Sequence, residues 1–246
     1  MKRYLMTISY DGTDFCGWQS QKRGRTVQQT IENALAIIAK EAIPIVGSGR
    51  TDAGVHALKQ FAHFDFSIQM TSEQILLALN SKLPDDIRTI KIIQVKDDFS
   101  ARYDAIQRKY IYLIAKERTP FNHFYKSFFS RLKFAPEKIE NCLSYFKGKH
   151  DFTSFSKFNP DITNQICYVQ SFIFKERKDD FMFEICANRF LHHMVRRLIG
   201  TVLNISNSEQ KPEIIIELFN QKNPENKLIA TAPPEGLYLA DVIYRA

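Results

Sequence analysis

Two helix-start signals, spaced so that strands fit before, between and after them, constrain the fold of this chain more than any other feature. Thr26 with Gln29 and Thr71 with Gln74 each form a T-x-x-Q pattern, in which a hydroxyl and an amide cap a helix N-terminus reciprocally. After the first, Val27, Ile31, Ala34, Leu35 and Ile38 share one face of a helix predicted over about 27–40. After the second, Ile75, Leu76 and Leu79 point inward. Residues 3–10 alternate as a strand that Asp11-Gly12 ends. A further strand runs into the turn after Val46, another crosses Gln60–Phe66, and Ile90–Val95 closes the series. Strand, helix, strand, strand, helix, strand is the order of a ferredoxin-like α+β sheet.

The second half predicts the same theme with longer loops. Lys109–Ile114 is a strand rich in β formers. Pro136 opens a helix carrying Ile139, Cys142, Leu143 and Phe146, and Gly148 stops it. Strands at about 166–175 and 181–187 flank a turn at Lys178-Asp179-Asp180. Helices are expected over 190–205 and 212–220, and Leu237–Tyr244 is a closing strand. The expected architecture is two ferredoxin-like α/β halves with antiparallel or mixed sheets, residues 1–104 and 105–246, flanking a central catalytic cleft. No Pro/Gly/Ser-rich linker separates the halves, so rigid docking is expected.

Composition matters mainly through charge. The net +7 is unevenly spread, with +1 over residues 1–104 and +6 over 105–246. Basic clusters occur at Lys22-Arg23-Gly24-Arg25, Arg108-Lys109, Lys147/Lys149 and Arg196-Arg197. Such a distribution suits either a solvated basic surface or a polyanionic partner. No apolar stretch is long enough to cross a bilayer, and the N-terminus lacks a signal-peptide pattern. Four scattered cysteines without a C-x-x-C fit buried reduced thiols in a cytoplasmic protein.

The segment Gly47-Ser48-Gly49-Arg50-Thr51-Asp52-Ala53-Gly54-Val55-His56-Ala57 concentrates the chemistry. It places one carboxylate among small residues just past a strand end. Asp52 there fits a nucleophile, a general base, or a cap of the next segment. Metal ligation is disfavoured, because no second carboxylate lies near in sequence. Adjacent His192-His193 point different ways if helical, which argues against a metal pair. Asp11-Gly12-Thr13 is no aspartyl-phosphate phosphatase motif, since Ser9 stands where a carboxylate is needed. His56 fits a loop brace better than an acid or base.

This run resembles the signature of the TruA family of tRNA pseudouridine synthases. Further resemblances occur in family order: Tyr10-Asp11-Gly12 leading to Gly17-Trp18-Gln19, Asp97–Arg102, and Arg108-Lys109-Tyr110-Ile111-Tyr112. Near the end come Asn188–Arg196, close to N-x-F-x-x-x-M-V-R, and Pro234–Leu239. The resemblance implies that Asp52 is the nucleophile and Arg196 its ion-pair partner. It implies that Tyr110 stacks on a flipped uracil, and that Arg50 enters the vacated space or holds the adjacent backbone. It also implies no cofactor and no metal, because the reaction only moves a base from one bond to another. The implied partner is the tRNA anticodon stem-loop (positions 38, 39 and 40), bound by a homodimer with no membrane association. Lys22, Arg23 and Arg25 fall where the family has an RNA-facing loop. Two alternatives are a paralogue acting at other RNA positions and a non-catalytic tRNA-binding or folding protein. The intact Arg50-Thr51-Asp52 argues against the latter.

Overall fold

The computed structural model describes residues 1–130, 134–159 and 162–245. The chain forms two compact units, Met1–Ile106 with Tyr238–Ala246, and Gln107–Leu237.

The first unit contains β1 (Lys2–Tyr10), α1 (Val27–Ala39), β2 (Ile45–Gly47), β3 (His56–Phe66), α2 (Ser72–Asn80) and β4 (Ile87–Gln94). Their sheet order is β4-β1-β3, with β2 beside β3, and all three pairings are antiparallel. That is the βαββαβ order read from the sequence. The register places Tyr4, Met6 and Ile8 of β1 opposite Phe64, Ala62 and Gln60 of β3. These residues are buried, as are the inward faces of α1 (Val27, Ile31, Leu35) and α2 (Ile75, Leu79). Burial of each such large apolar side chain stabilises by about 1.5–3 kcal/mol. At Thr71 both halves of the capping box form. At Thr26 only the hydroxyl caps, because the Gln29 amide bonds Asn33 and Ser20 instead.

Because β3 is 11 residues long, its edge away from β1 serves two partners. β2 pairs with Ala62–Phe64 and, at the other end, His56 and Ala57 pair in parallel with Tyr238 and Leu239. The latter belong to the last strand of the chain, Leu237–Tyr244. The β1–β3 register breaks between Ile8, opposite Gln60, and Tyr10, opposite Ala57. β3 therefore carries one extra residue there, a bulge that re-aims neighbouring side chains.

The second unit comprises β5 (Ala105–Ala115), α3 (Pro136–Phe146), β6 (Gly148–Asp151), β7 (Ile166–Glu176), β8 (Asp180–Ala187), α4 (Met194–Ser206) and α5 (Ile214–Gln221). The sheet order is β5-β8-β7-β6, antiparallel throughout the β6–β7, β7–β8 and β8–β5 pairs. The terminal strand is β9 (Leu237–Tyr244). Phe172, Phe183, Phe146, Phe152 and Phe155 are fully buried, and their rings meet edge to face or tilted. Two sequence expectations need correction here. β6 was not anticipated, since Gly-Lys-His-Asp has no β-forming character and its pairing with β7 decides it. The helix expected over 190–205 begins only at Met194, because His193 is left-handed at φ 63°.

Candidate functional site

Asp52 lies on the loop between β2 and β3, half-buried. The next element along the chain is strand β3, not a helix, so Asp52 caps no helix N-terminus. Its backbone carbonyl instead accepts the Val55 N–H at 3.2 Å, closing a tight turn into β3. Arg50 is exposed on the same loop.

The loop is seated by residues distant in sequence. Trp18 N–H donates to the Thr51 carbonyl at 3.1 Å, and Gly54 N–H donates to the Phe15 carbonyl. Gly17 has φ +95°, and a Cβ there would stand 2.6 Å from the Thr51 oxygen. Gly47 likewise makes room, since its missing Cβ would meet the buried Trp18 indole at 2.6 Å. The Tyr10 and Thr51 hydroxyls are 2.8 Å apart. Gln60 donates through Nε2 to the Gly49 carbonyl at 3.0 Å and accepts the Ser48 hydroxyl at 2.6 Å. Burial drives the Tyr10 phenol far above its ordinary pKa, only partly offset by hydrogen bonds with Thr51 and Gln60, so it stays neutral.

His56 is buried at the start of β3. Its Nδ1 accepts the Gly12 N–H at 3.0 Å and lies 3.2 Å from Asp11 Oδ1, while its ring stacks on Tyr238 at 4.7 Å. The ring thus braces the loop exit. Asp11 Oδ1 also accepts the Thr13 N–H and hydroxyl, which closes its own turn.

Tyr110 and Arg196 belong to the second unit. Tyr110, on β5, is buried and meets Phe190 edge to face at 5.1 Å. Arg196 sits in the first turn of α4, half-buried. Its Nε donates to the Ala232 carbonyl at 2.7 Å, and Ala232 N–H returns a bond to the Arg196 carbonyl at 3.0 Å. The guanidinium is therefore fixed rather than swinging as a surface side chain. The adjoining Pro233 and Gly236 are held by β5: Leu113 N–H donates to the Gly236 carbonyl, and the Tyr112 hydroxyl donates to the Pro233 carbonyl at 3.0 Å.

Several sequence readings change with the side chains in place. Arg197, grouped with Arg196 as a basic cluster, turns inward and donates to the carbonyls of Ser154, Ser156 and Pro224. Burial lowers its pKa from the usual arginine value. Arg25 is engaged by Asp86 through two bonds of 2.5 and 2.9 Å and covers the Phe15 ring at 4.1 Å. Lys22 and Arg23 are exposed. His192 and His193 do not diverge on a helix, since both precede Met194, and their ring centroids are 4.2 Å apart. Cys142, Cys167 and Cys186 are buried as expected, whereas Cys16 is exposed. The supports of the Asp52 loop, Tyr10, Trp18 and Gln60, received no role from the sequence. Gln60 did leave a signal, being a polar residue in phase with Ala62, Phe64 and Phe66 on the core face of a strand.

Among the described residues, no helix is long and apolar enough to cross a membrane. A family model described as tRNA pseudouridine synthase matches residues 6–104 and 143–245. A protein of Latilactobacillus sakei called tRNA pseudouridine synthase A is 37% identical over 249 residues, covering 99% of each chain. One of the same name from Parabacteroides distasonis is 39% identical, over 99% of this chain and 96% of its own. A third, from Caldicellulosiruptor bescii, is 37% identical over 99% of this chain and 100% of its own. A motif loop braced at both ends, a βαββαβ sheet beneath it, and similarity along nearly the whole length lead to one conclusion: the chain belongs to the tRNA pseudouridine synthase family.

Proposed function

We propose that this protein converts uridine to pseudouridine in the anticodon stem-loop of tRNA, at positions 38, 39 and 40, with Asp52 as the nucleophile. One observation carries the reading: Asp52 is held half-buried on a loop whose preceding Ser48, Gly49 and Thr51 and following Gly54 are each fixed by hydrogen bonds to distant residues. Such preorganisation suits a group that must meet one atom of a substrate.

The reaction breaks the bond from uracil N1 to ribose C1′ and forms one from C5 to C1′. The C5 hydrogen leaves as a proton and N1 gains one, so atoms and electrons balance without a co-reactant. Ionised Asp52 attacks C1′ or ring C6, or removes a proton from the sugar; each route needs the carboxylate form. A stacked base cannot be reached, so the target nucleotide is flipped out. Tyr110 is assigned to stacking on the uracil, since an aromatic face supports a base without demanding sequence. Arg50, exposed beside Asp52, is assigned to the vacated space or the adjacent backbone. Arg196, with its Nε fixed by Ala232, is assigned to the same reaction as the cationic partner that favours the charged carboxylate. The active species is proposed to be a cytoplasmic homodimer.

The test uses tRNA tritiated at uridine C5, from which isomerisation releases label to water. Wild type is expected to release it, and Asp52→Ala to abolish release while retaining tRNA binding. Release by Asp52→Ala at the wild-type rate would overturn the assignment. Mapping the pseudouridines in the product RNA tests the three positions.

A further inference from the structure

We infer that Tyr10 is a positioning residue for isomerisation, acting through Thr51 to hold the peptide that carries Asp52. This rests on the reading of Asp52 as the reacting group. Tyr10 ends β1, far from Asp52 in sequence, yet its hydroxyl lies 2.8 Å from Thr51 Oγ1, and both residues are buried. Thr51 immediately precedes Asp52. Its side chain is gripped by Tyr10 and its carbonyl by Trp18 N–H. A peptide is planar, so holding a residue at both its side chain and its carbonyl sets the plane leading into the next residue.

Gln60 extends the grip to the other side of Arg50. Its amide bonds the Gly49 carbonyl and the Ser48 hydroxyl, and accepts the Phe61 N–H at 3.0 Å. The bulge in β3 between Ala57 and Gln60 lies directly opposite the Ile8–Tyr10 end of β1. Chain order alone would continue the ladder there; the extra residue adjusts the register where Tyr10 meets the loop. A phenylalanine would fill the same volume without the cost of burying a hydroxyl. The hydroxyl is thus explained by what it holds. Tyr10 touches no reacting atom in this scheme and contributes only through the placement of Asp52.

The test is single-turnover tritium release by Tyr10→Phe. A small displacement of a reacting group costs about 10- to 100-fold in rate, so a loss in that range is expected, with the Kd for tRNA unchanged. Thr51→Val should show the same loss, and the double variant should be no slower than the slower single, because both remove one contact. Thr51→Ser, which keeps the hydroxyl, should restore the rate. A wild-type rate in Tyr10→Phe, a loss that tracks weakened tRNA binding, or losses that multiply in the double variant would each overturn the inference. If Tyr10→Phe melts below the assay temperature, Thr51→Val and its serine counterpart decide the same question. Asp52→Ala run in parallel separates the two readings. An inactive Asp52→Ala beside a fully active Tyr10→Phe refutes only the role of Tyr10. An active Asp52→Ala refutes the assignment of the nucleophile itself.

Discussion

Replacing Gly17 by alanine is predicted to damage the Asp52 loop through a single added methyl, and Gly49 supplies the control. Gly17 sits at φ +95°, a region that costs an L-residue about 1–2 kcal/mol. Its new Cβ would also stand 2.6 Å from the Thr51 carbonyl oxygen, which is backbone and cannot swing aside. Relief requires Gly17 and Thr51 to separate by several tenths of an ångström, weakening the 3.1 Å Trp18 N–H bond to that same carbonyl. The loss of that bond costs about 1 kcal/mol more. The total is about 2–3 kcal/mol, or roughly 4–12 °C in melting temperature for a chain of this size. At Gly49 an added Cβ would meet nothing within 4 Å. Gly49→Ala is therefore expected to melt with wild type. Differential scanning calorimetry of both variants is the assay, with tritium release beside it. Gly17→Ala melting with wild type, or the two variants falling equally, would refute the argument from close packing.

Other expectations concern charge. The Asp180 carboxyl is pushed up by burial, but hydrogen bonds from Arg177 and Lys126 outweigh this and leave its pKa below the usual value. A folded-state pKa below the unfolded one gives stability that is present above about pH 4 and lost as pH falls through the folded value. Asp180→Asn should thus lower the melting temperature at pH 7 and flatten its decline on acidification; an unchanged acid profile would count against the pairing. Lys22→Ala with Arg23→Ala should weaken tRNA binding and reduce its salt slope by about 2, one for each phosphate contact. Arg25→Ala should instead lower the melting temperature, because Arg25 holds Asp86 and Phe15. Salt titrations in which Arg25→Ala changes the slope as much as the other pair would reverse that division.

The elements legible in advance were those whose signals are local. Apolar periodicity located α1 and α2, and the hydroxyl of Thr71 found its partner three residues on. β6 was illegible because its residues have no preference for a strand; β7 supplies the pairing edge. The late start of α4 was equally hidden, since residue types alone do not reveal a left-handed residue at His193. Basic residues were counted alike in the sequence, yet Arg197 serves three interior carbonyls while Lys22 and Arg23 face solvent. A formal charge is the same at any depth, and only burial distinguishes them.

For the site, the sequence by itself singled out the Asp52 loop and its residue types. Small residues around Asp52, with Arg50 before it, form one contiguous pattern that needs no fold to be seen. What holds that loop was decided only by the tertiary structure. Tyr10 and Gln60 reach it because β1 and β3 pair antiparallel, and Trp18 reaches it from the segment after β1. The last strand joins His56 and Ala57 from the far end of the chain. Spacing along a chain encodes neighbours a few residues apart. Contacts across a sheet depend on register, and register is set by the packing of the whole face.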